Sequence, residues 1–278
     1  MPPDTRYGDL VTARPADDDL RRAEQRAQVQ VRLLIEPSEL ADAQWVFDQV
    51  WPSGDGSTQL PRNLMRALVH AGGYCSAAYR DGQPIGAAFG VAGRHLQGGH
   101  WHEHLHSHMA GALEPYRNQH IGTALKLHQR VWAHDVGIDT IVWTFDPLVR
   151  RNARFNLIKL GVDVDGFEPN FYGEMDDGIN SGDATDRLFA WWHLGSARIA
   201  AAMAGELSDL DVHELVAAGR DVREVELPED IVAVRAADPA AGLQWRLKVR
   251  KDLQAAFADG YRIIGVADHG GYVLERTS

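Results

Sequence analysis

The sequence predicts an α/β fold in which helices flank a central mixed sheet. Apolar runs rich in β-branched residues alternate with helical stretches from residue 28 onward. The chain has 278 residues, 45% of them hydrophobic and 24% charged, which is enough apolar material for a sizeable core. No repeat with a period of roughly 20 to 50 residues is visible, which argues against a solenoid.

The first half of the chain begins the strand and helix alternation. The predicted elements are a strand Val29–Ile35, helices Pro37–Trp51 and Leu64–His70, and strands Tyr74–Tyr79 and Pro84–Val91. Between the last two strands stands the pair Asp81-Gly82, which is a strong hairpin signal.

The middle of the chain continues the alternation. The predicted elements are a strand His100–Leu113, a helix Ile121–His134, a strand Thr140–Phe145, a helix Val149–Leu160 and a strand Leu188–His193. The helix Ile121–His134 carries an apolar stripe with a period of about 3.6 residues, so one of its faces is expected to pack on the sheet.

The two ends of the chain differ from this middle part. Residues 1–27 are rich in Asp and Arg and poor in large apolar residues, so we expect a flexible lead or a loose helix. Residues 28–195 form the predicted main domain. Residues 196–278 form a predicted extension, with a helix over Gln244–Phe257 and strands at Arg262–Val266 and Gly271–Leu274, that caps or extends the sheet.

Charge and cysteine content restrict the partners and the compartment. Lys and Arg number 28 against 39 Asp and Glu, a net charge of −11, which disfavours binding to nucleic acid or to an anionic membrane through bulk charge. Cys75 is the single cysteine, so an intramolecular disulfide is excluded. No secretory signal pattern and no apolar run of about 20 residues is visible, and we expect a cytoplasmic protein.

The segment Tyr116–Leu125 joins a predicted strand to a predicted helix and is the most informative in the chain. The first N–H groups of a helix lack intrahelical partners and feel the positive end of its dipole, so a tight turn there binds phosphate readily. Arg117 adds a forked cation, and Lys126 and Arg130 follow on the helix. The alternative is an ordinary loop with a solvated arginine.

This segment resembles the acetyl-CoA pyrophosphate loop of the GNAT superfamily of N-acetyltransferases, whose pattern is Arg/Gln-x-x-Gly-x-Gly/Ala. Arg117 and Gly122 match its first and last positions, whereas His120 replaces the middle glycine. The stretch Asn152–Gly161 looks like the family's Asn-x-x-Ala…Lys-Leu-Gly segment. The resemblance covers residues 28–195. More narrowly, the end of this stretch, Asn170–Gly173 and the C-terminal tail look like a poorly characterised branch of predicted acetyltransferases.

The resemblance implies a GNAT-type fold and transfer of an acetyl or small acyl group from coenzyme A to the amine of a small molecule or peptide, by direct attack on the thioester. It implies an oxyanion donor among the backbone N–H groups of Gly111–Leu113. It also places the family's acidic tyrosine at Leu157, where the role is vacant, and Tyr172 is our substitute. The residues that it implies for coenzyme binding are Ala112, Leu113, Arg117, Asn118, Gln119, His120, Ile121, Gly122, Thr123, Asn152 and Asn156.

Five histidines alternate with other residues along the predicted strand before the loop: His100, His102, His104, His106 and His108. A period of two sends all five to one face of a strand, and Trp101, Leu105 and Met109 to the other. Because this strand lines the acceptor pocket in the GNAT fold, His106 or His108 is our candidate for the base that takes the amine proton. Glu103 is a weaker candidate.

Other interpretations of this chain remain open. Two of the histidines can converge on a zinc ion, which would allow a metal-dependent enzyme built on the strand from His100 to His108, or the histidines can form a half-exposed polar face. A non-catalytic protein that binds or senses acyl-CoA is compatible with Leu157 at the acid position. The eight tryptophans do not identify the acceptor, and a homodimer stays open.

Overall fold

The structure is a computed structural model that describes residues 15–173 and 184–276. The strands of its main sheet are β1 (Gln30–Leu33), β2 (Tyr74–Arg80), β3 (Gln83–Gln97), β4 (His100–Ala112), β5 (Thr140–Phe145), β6 (Asp163–Glu168) and β7 (Arg187–His193). They lie in the order β1-β2-β3-β4-β5-β7-β6. All neighbouring pairs are antiparallel except β4 and β5, which are parallel, so the sheet is mixed as predicted.

Helices cover both faces of this sheet. The described helices are α1 (Pro15–Ala27), α2 (Pro37–Val50), α3 (Arg62–His70), α4 (Ile121–Asp135), α5 (Arg150–Arg154), α6 (Ala197–Ala204), α7 (Val212–Ala217), α8 (Ile231–Ala237) and α9 (Pro239–Ala258). One apolar cluster joins α1 and α4 to one face, and a second joins α2 to the other face of β2 and β3. The predicted α/β class with flanking helices is confirmed.

Several elements differ from their predicted form. The helix predicted over Val149–Leu160 is α5 followed by a π-helical segment, Phe155–Leu160. β6 was not predicted because its sequence, Asp-Val-Asp-Gly-Phe-Glu, carries few apolar residues and contains a glycine at an irregular point of its pairing with β7.

Of the two forms expected for the start of the chain, a flexible lead or a loose helix, residues 15–27 form a helix, whereas residues 1–14 lie outside the described part. Ala23 and Ala27 are four residues apart on α1 and both are buried against the core that includes α4. Asp19 on the same helix accepts a hydrogen bond from Arg130 of α4 at 2.9 Å. Arg130 therefore holds α1 and does not face a ligand loop.

The C-terminal extension forms its own three-stranded sheet, with β8 (Val222–Val225), β10 (Tyr272–Arg276) and β9 (Tyr261–Val266) in that spatial order. It does not extend the main sheet. Its residues nevertheless belong to the same apolar cluster as α4 and β5.

Buried ion pairs fix the extension to the end of β5. Arg246 of α9 donates to both carboxylate oxygens of Asp146 at 2.8 Å, and Arg235 donates to one of them at 3.1 Å. Burial acts to raise the pKa of Asp146, but the two guanidinium groups outweigh it and hold that pKa below its usual value. A second pair joins Arg250 to Asp186 at 2.7 Å.

Within the described residues, no helix has the length and apolar character needed to cross a membrane.

Candidate active site

β4 and β5 separate soon after they meet. Their parallel pairing is confined to Leu105 with Ile141 and His106 with Val142. Beyond these pairs, β4 continues beside β3 to Ala112, and β5 continues beside β7 to Phe145. We call the gap between Ser107–Ala112 and Trp143–Phe145 the wedge. From Ser107 to Ala112 it is about 17 Å deep along the strand, at roughly 3.3 Å per residue.

A β-bulge at His108 lies near the closed end of the wedge. Gly90 pairs with Ser107 and Phe89 with Met109, so His108 is the extra residue. The predicted alternation is interrupted there: Leu105 packs in the cluster under α4, but Met109 packs with Phe89 in the cluster under α2. The predicted common face for Leu105 and Met109 is therefore wrong.

Backbone N–H groups of β4 alternate between β3 and the wedge. The N–H of Leu113 donates to the carbonyl of Ile85 at 2.9 Å, so the expected oxyanion role of that N–H is wrong. By the antiparallel alternation, the N–H of Gly111 also points to β3, and those of Ala110 and Ala112 point into the wedge.

The loop at the mouth of the wedge presents an array of backbone donors. Asn118 and His120 have φ values of +64° and +62°, in the left-handed region. The first bond of α4 runs from the N–H of Ala124 to the carbonyl of His120, at 3.1 Å. Among the described residues, the six N–H groups from residue 118 to residue 123 have no backbone acceptor. Such a concave array at a helix start is suited to bind an anion.

His120 shows how the loop keeps its shape without the middle glycine of the GNAT pattern. Its left-handed backbone is the one that glycine adopts at no cost, and histidine is among the side chains that tolerate it. The ring is exposed, and partial burial together with the charges of Arg26 and Lys159 lowers its pKa, which leaves it neutral at pH 7.

Side chains around the loop support its backbone without covering its N–H groups. Gln119 accepts from Arg80 at 2.9 Å and donates to the carbonyl of Pro115 at 3.0 Å, so its side chain supports the turn. Arg117 and Gly122 are exposed, Thr123 is half-buried and Ile121 is buried. A Cβ on Gly122 would meet only Phe155, at 3.8 Å, so the approach to these N–H groups is clear.

The structure brings the two candidate bases together on the face of β4 opposite α4. The rings of His106 and His108 are 6.0 Å apart between centroids. Burial, and then the neighbouring titratable groups His108, His104 and Lys126, lower the pKa of His106 to about 4. Burial also lowers the pKa of His108. Both rings are neutral at pH 7, and His108, with the smaller perturbation, is the stronger base of the two.

The remaining histidines of β4 lie further from the wedge. His104 shares a hydrogen bond with His95, with 3.1 Å between their Nδ1 atoms, beside Trp191. In the described ranges, no three His, Cys, Asp or Glu side chains gather in an arrangement that holds a metal ion. The zinc interpretation thus has no assembled ligand set there.

Tyr172 reaches the same face as the histidines, from the segment after β6. Its hydroxyl is 3.1 Å from the hydroxyl of Thr144, and its N–H donates to the hydroxyl of Thr185 at 2.9 Å. Thr144 is two residues beyond Val142, the partner of His106, so both point to one face of the sheet.

The segment after β5 contributes packing rather than a titratable group. Leu157 is fully buried in the core under α4. Asn156 is also buried, and its side-chain oxygen accepts from the indole N–H of Trp143 at 3.2 Å. Asn152 is half-buried on the first turn of α5. The side chain of Asn156 is therefore engaged beneath β5, where it fixes one wall of the wedge.

Sequence reasoning missed the position of Lys126. The sequence indicated only that Lys126 follows the loop on the predicted helix, and in the structure it is buried between α4 and the sheet. Its Nζ donates to Ser107 at 2.8 Å and to Gln129 at 3.4 Å, and lies 3.6 Å from the centroid of the Trp143 ring. The sequence offers one signal of this burial: Lys126 directly follows Leu125, a residue of the apolar stripe.

The chain is similar to solved structures of GNAT-family acetyltransferases. One is an N-acetyltransferase from Staphylococcus aureus Mu50, at 14% identity over 60% of this chain and 98% of that chain, with a TM-score of 0.47. Another is the ribosomal-protein-S18-alanine N-acetyltransferase from Escherichia coli, at 14% identity over 61% of this chain and 96% of that chain, with a TM-score of 0.45. A third, from Elizabethkingia anophelis and solved with acetyl-CoA bound, has 13% identity over 59% of this chain and 97% of that chain, with a TM-score of 0.42.

No family model and no curated protein matches the chain. The strand order and the flanking helices agree with the predicted mixed α/β sheet followed by a C-terminal α+β extension. Identities of this size concern the fold alone and carry neither a substrate nor a site residue to this chain.

Proposed function

We propose that this chain transfers an acetyl or small acyl group from acyl-CoA to an amine. The observation that carries the proposal is the wedge between two parallel strands, whose mouth is lined by six backbone N–H groups without backbone acceptors. Ligands of α/β folds bind at the carboxyl ends of parallel strands, next to a helix start.

The residues present fit such a ligand. The N–H groups of residues 118–123, with Arg117 beside them, are suited to the pyrophosphate, and the exposed Gly122 leaves room for it. The depth of the wedge suits an extended pantetheine arm, and the N–H groups of Ala110 and Ala112 face that arm. When bound, the coenzyme supplies an acyl group activated as a thioester.

The roles of the other candidate residues follow from their positions. His108, neutral at pH 7 and located at the bulge, takes the proton of the attacking amine. Tyr172 stands on the same face and orients the acceptor through its hydroxyl. The acceptor is the amine of a small molecule or peptide.

Calorimetric titration with acetyl-CoA tests the proposal. We expect micromolar binding that persists with dephospho-CoA and is lost with acetyl-pantetheine, which lacks the pyrophosphate. Absence of acetyl-CoA binding, or equal binding of acetyl-pantetheine, would overturn the assignment of the loop. Release of free coenzyme A with a panel of amines then tests transfer.

A second candidate function, a non-catalytic acyl-CoA binding protein, is favoured by the buried Leu157 at the position where the GNAT resemblance expects an acid. It predicts tight acetyl-CoA binding with no thiol release for any amine in the panel. Binding with release in the presence of one amine class supports the transferase.

A further inference from the structure

We propose that Lys126, acting through the hydroxyl of Ser107, donates the proton that the coenzyme A sulfur takes up when the thioester is cleaved. This inference rests on the proposed function and assigns the acid that Leu157 cannot provide.

Lys126 lies at the closed end of the wedge. Ser107 and Trp143 are the first residues beyond the last paired positions of β4 and β5, one on each strand. The Nζ of Lys126 lies 2.8 Å from the hydroxyl oxygen of Ser107 and 3.6 Å from the centre of the Trp143 ring. The amine therefore spans the closed end of the wedge from the side of α4.

The wedge opens toward the start of α4 and closes at Ser107. α4 begins at the mouth, where the side chain of Ile121 lies against Gly86, the residue that pairs with Ala112, and it reaches Ser107 five residues later. A ligand whose pyrophosphate is bound at the start of α4 and whose arm fills the wedge has its sulfur at the closed end. There the thioester has His106 and His108 on one side of the sheet and Lys126 on the other.

The surroundings of the buried Lys126 amine favour loss of its proton. The groups in contact with Lys126 are a hydroxyl, an amide oxygen and an aromatic ring, and no carboxylate pairs with it among the described residues. Burial lowers its pKa well below the usual value for lysine. An ammonium group with a lowered pKa gives up its proton more readily, as a general acid must.

Within the described residues, neither Leu157 nor Tyr172 takes the place of Lys126 at the closed end of the wedge. Leu157 is apolar and packed in the core, and Tyr172 binds Thr144 on the opposite face of the sheet. Lys126 is thus the titratable group that approaches the closed end from the α4 side.

The proposed step conserves atoms, electrons and protons. The amine nitrogen forms a bond to the thioester carbonyl carbon, the carbon–sulfur bond breaks, and its electron pair goes to sulfur. Ser107 passes its hydroxyl proton to sulfur and receives one from Lys126, while His108 takes the proton that the amine loses. Solvent returns a proton from His108 to Lys126, so the products are an amide and the free thiol.

Replacement of Lys126 is the kinetic test. In Lys126→Met we expect kcat to fall by at least about 100-fold, acetyl-CoA affinity to stay unchanged, and the alkaline limb of the kcat profile to disappear. Lys126→Arg keeps the charge but holds its proton, so it should not restore the rate. Lys251→Met, at an exposed position on α9, is the matched control and should behave as the wild type.

A titration of the wild-type protein does not depend on turnover. With ¹³C-labelled lysine, the ε-carbon signal absent from Lys126→Arg should titrate below the ordinary lysine pKa and should shift when coenzyme A binds. An ordinary pKa for this signal, or no response to coenzyme A, would overturn the inference.

The outcomes separate the two proposals. Wild-type protein that does not bind acetyl-CoA overturns the proposed function and the inference with it. Normal turnover in folded Lys126→Met leaves the function standing and overturns the inference alone. Loss of the alkaline limb in Tyr172→Phe, but not in Lys126→Met, would assign the acid to Tyr172 instead.

Discussion

A substitution at Gly122 that adds a side chain is the most direct single-residue test of the anion site. In Gly122→Glu the new carboxylate stands next to the free N–H groups at the start of α4, where it repels a pyrophosphate. We expect acetyl-CoA affinity to fall at least tenfold, or about 1.4 kcal/mol. Calorimetry measures this, and Gly195→Glu, at another exposed glycine with open space around it, is the control for added charge. Unchanged affinity would remove the loop from the site.

His108 offers a second test at the level of one residue. His108→Ala should lower kcat by about 100-fold, the lower end of what a positioned base contributes, with acetyl-CoA affinity unchanged. Because burial lowers the pKa of His108, the acid limb of the wild-type profile should lie below the ordinary histidine value. His100→Ala, at the exposed start of β4, is the control. A wild-type rate in His108→Ala from about pH 6 to about pH 9 would exclude His108 as the base.

Among the elements, the strands and helices of the middle of the chain were predictable because their signals are local. The period of the apolar residues located α4 and β5 within a residue or two of their ends. The bulge at His108 was not predictable, because it depends on how Gly90 and Phe89 of another strand align with β4. The residue pattern of one strand does not determine how that strand aligns with its neighbour.

The candidate site was predictable to a similar degree. Residues 117–122 are contiguous, so their motif identified the loop at the mouth of the wedge. Lys126 and Ser107, in contrast, are 19 residues apart and meet only because α4 packs back across β4. The position of Tyr172 near Thr144 likewise follows from the sheet order rather than from a motif.

For the whole molecule, the join between the main sheet and the extension depends on a buried ion pair. Arg246→Met leaves the carboxylate of Asp146 buried with one guanidinium partner fewer, and we expect the free energy of unfolding to fall by about 3–5 kcal/mol. Urea denaturation measures it. Arg223→Met breaks the exposed pair with Asp259 and should leave the free energy of unfolding close to that of the wild type, because solvent screens exposed charges. Equal stability of Arg246→Met and the wild type would contradict the assigned role.

The stability of the whole protein should also depend on pH between about 6.5 and about 4. The pKa values of His106 and His128 are both lowered to about 4, chiefly by burial, so in this range the unfolded chain binds more protons than the folded one. Stability is then full above about pH 6.5 and falls with decreasing pH, by at most about 1.4 kcal/mol per pH unit for each histidine.

The matched variants for this pH dependence are His128→Gln and His70→Gln. His128 is half-buried and bonded to the hydroxyl of Tyr74, whereas His70 is exposed at the end of α3. Urea denaturation across the range should show a shallower pH slope for His128→Gln and an unchanged one for His70→Gln. Equal slopes in all three proteins would refute the assignment.

The separation of β4 from β5 has a consequence for the exchange of amide hydrogens with solvent. The N–H groups of Gly111 and Leu113 are bonded to β3, but those of Ala110 and Ala112 face a gap between strands. In the free protein, slow and fast deuterium uptake should therefore alternate along one strand. A ligand that fills the gap would slow the fast positions alone, so mass spectrometry of this single strand reports occupancy without any assay of chemistry.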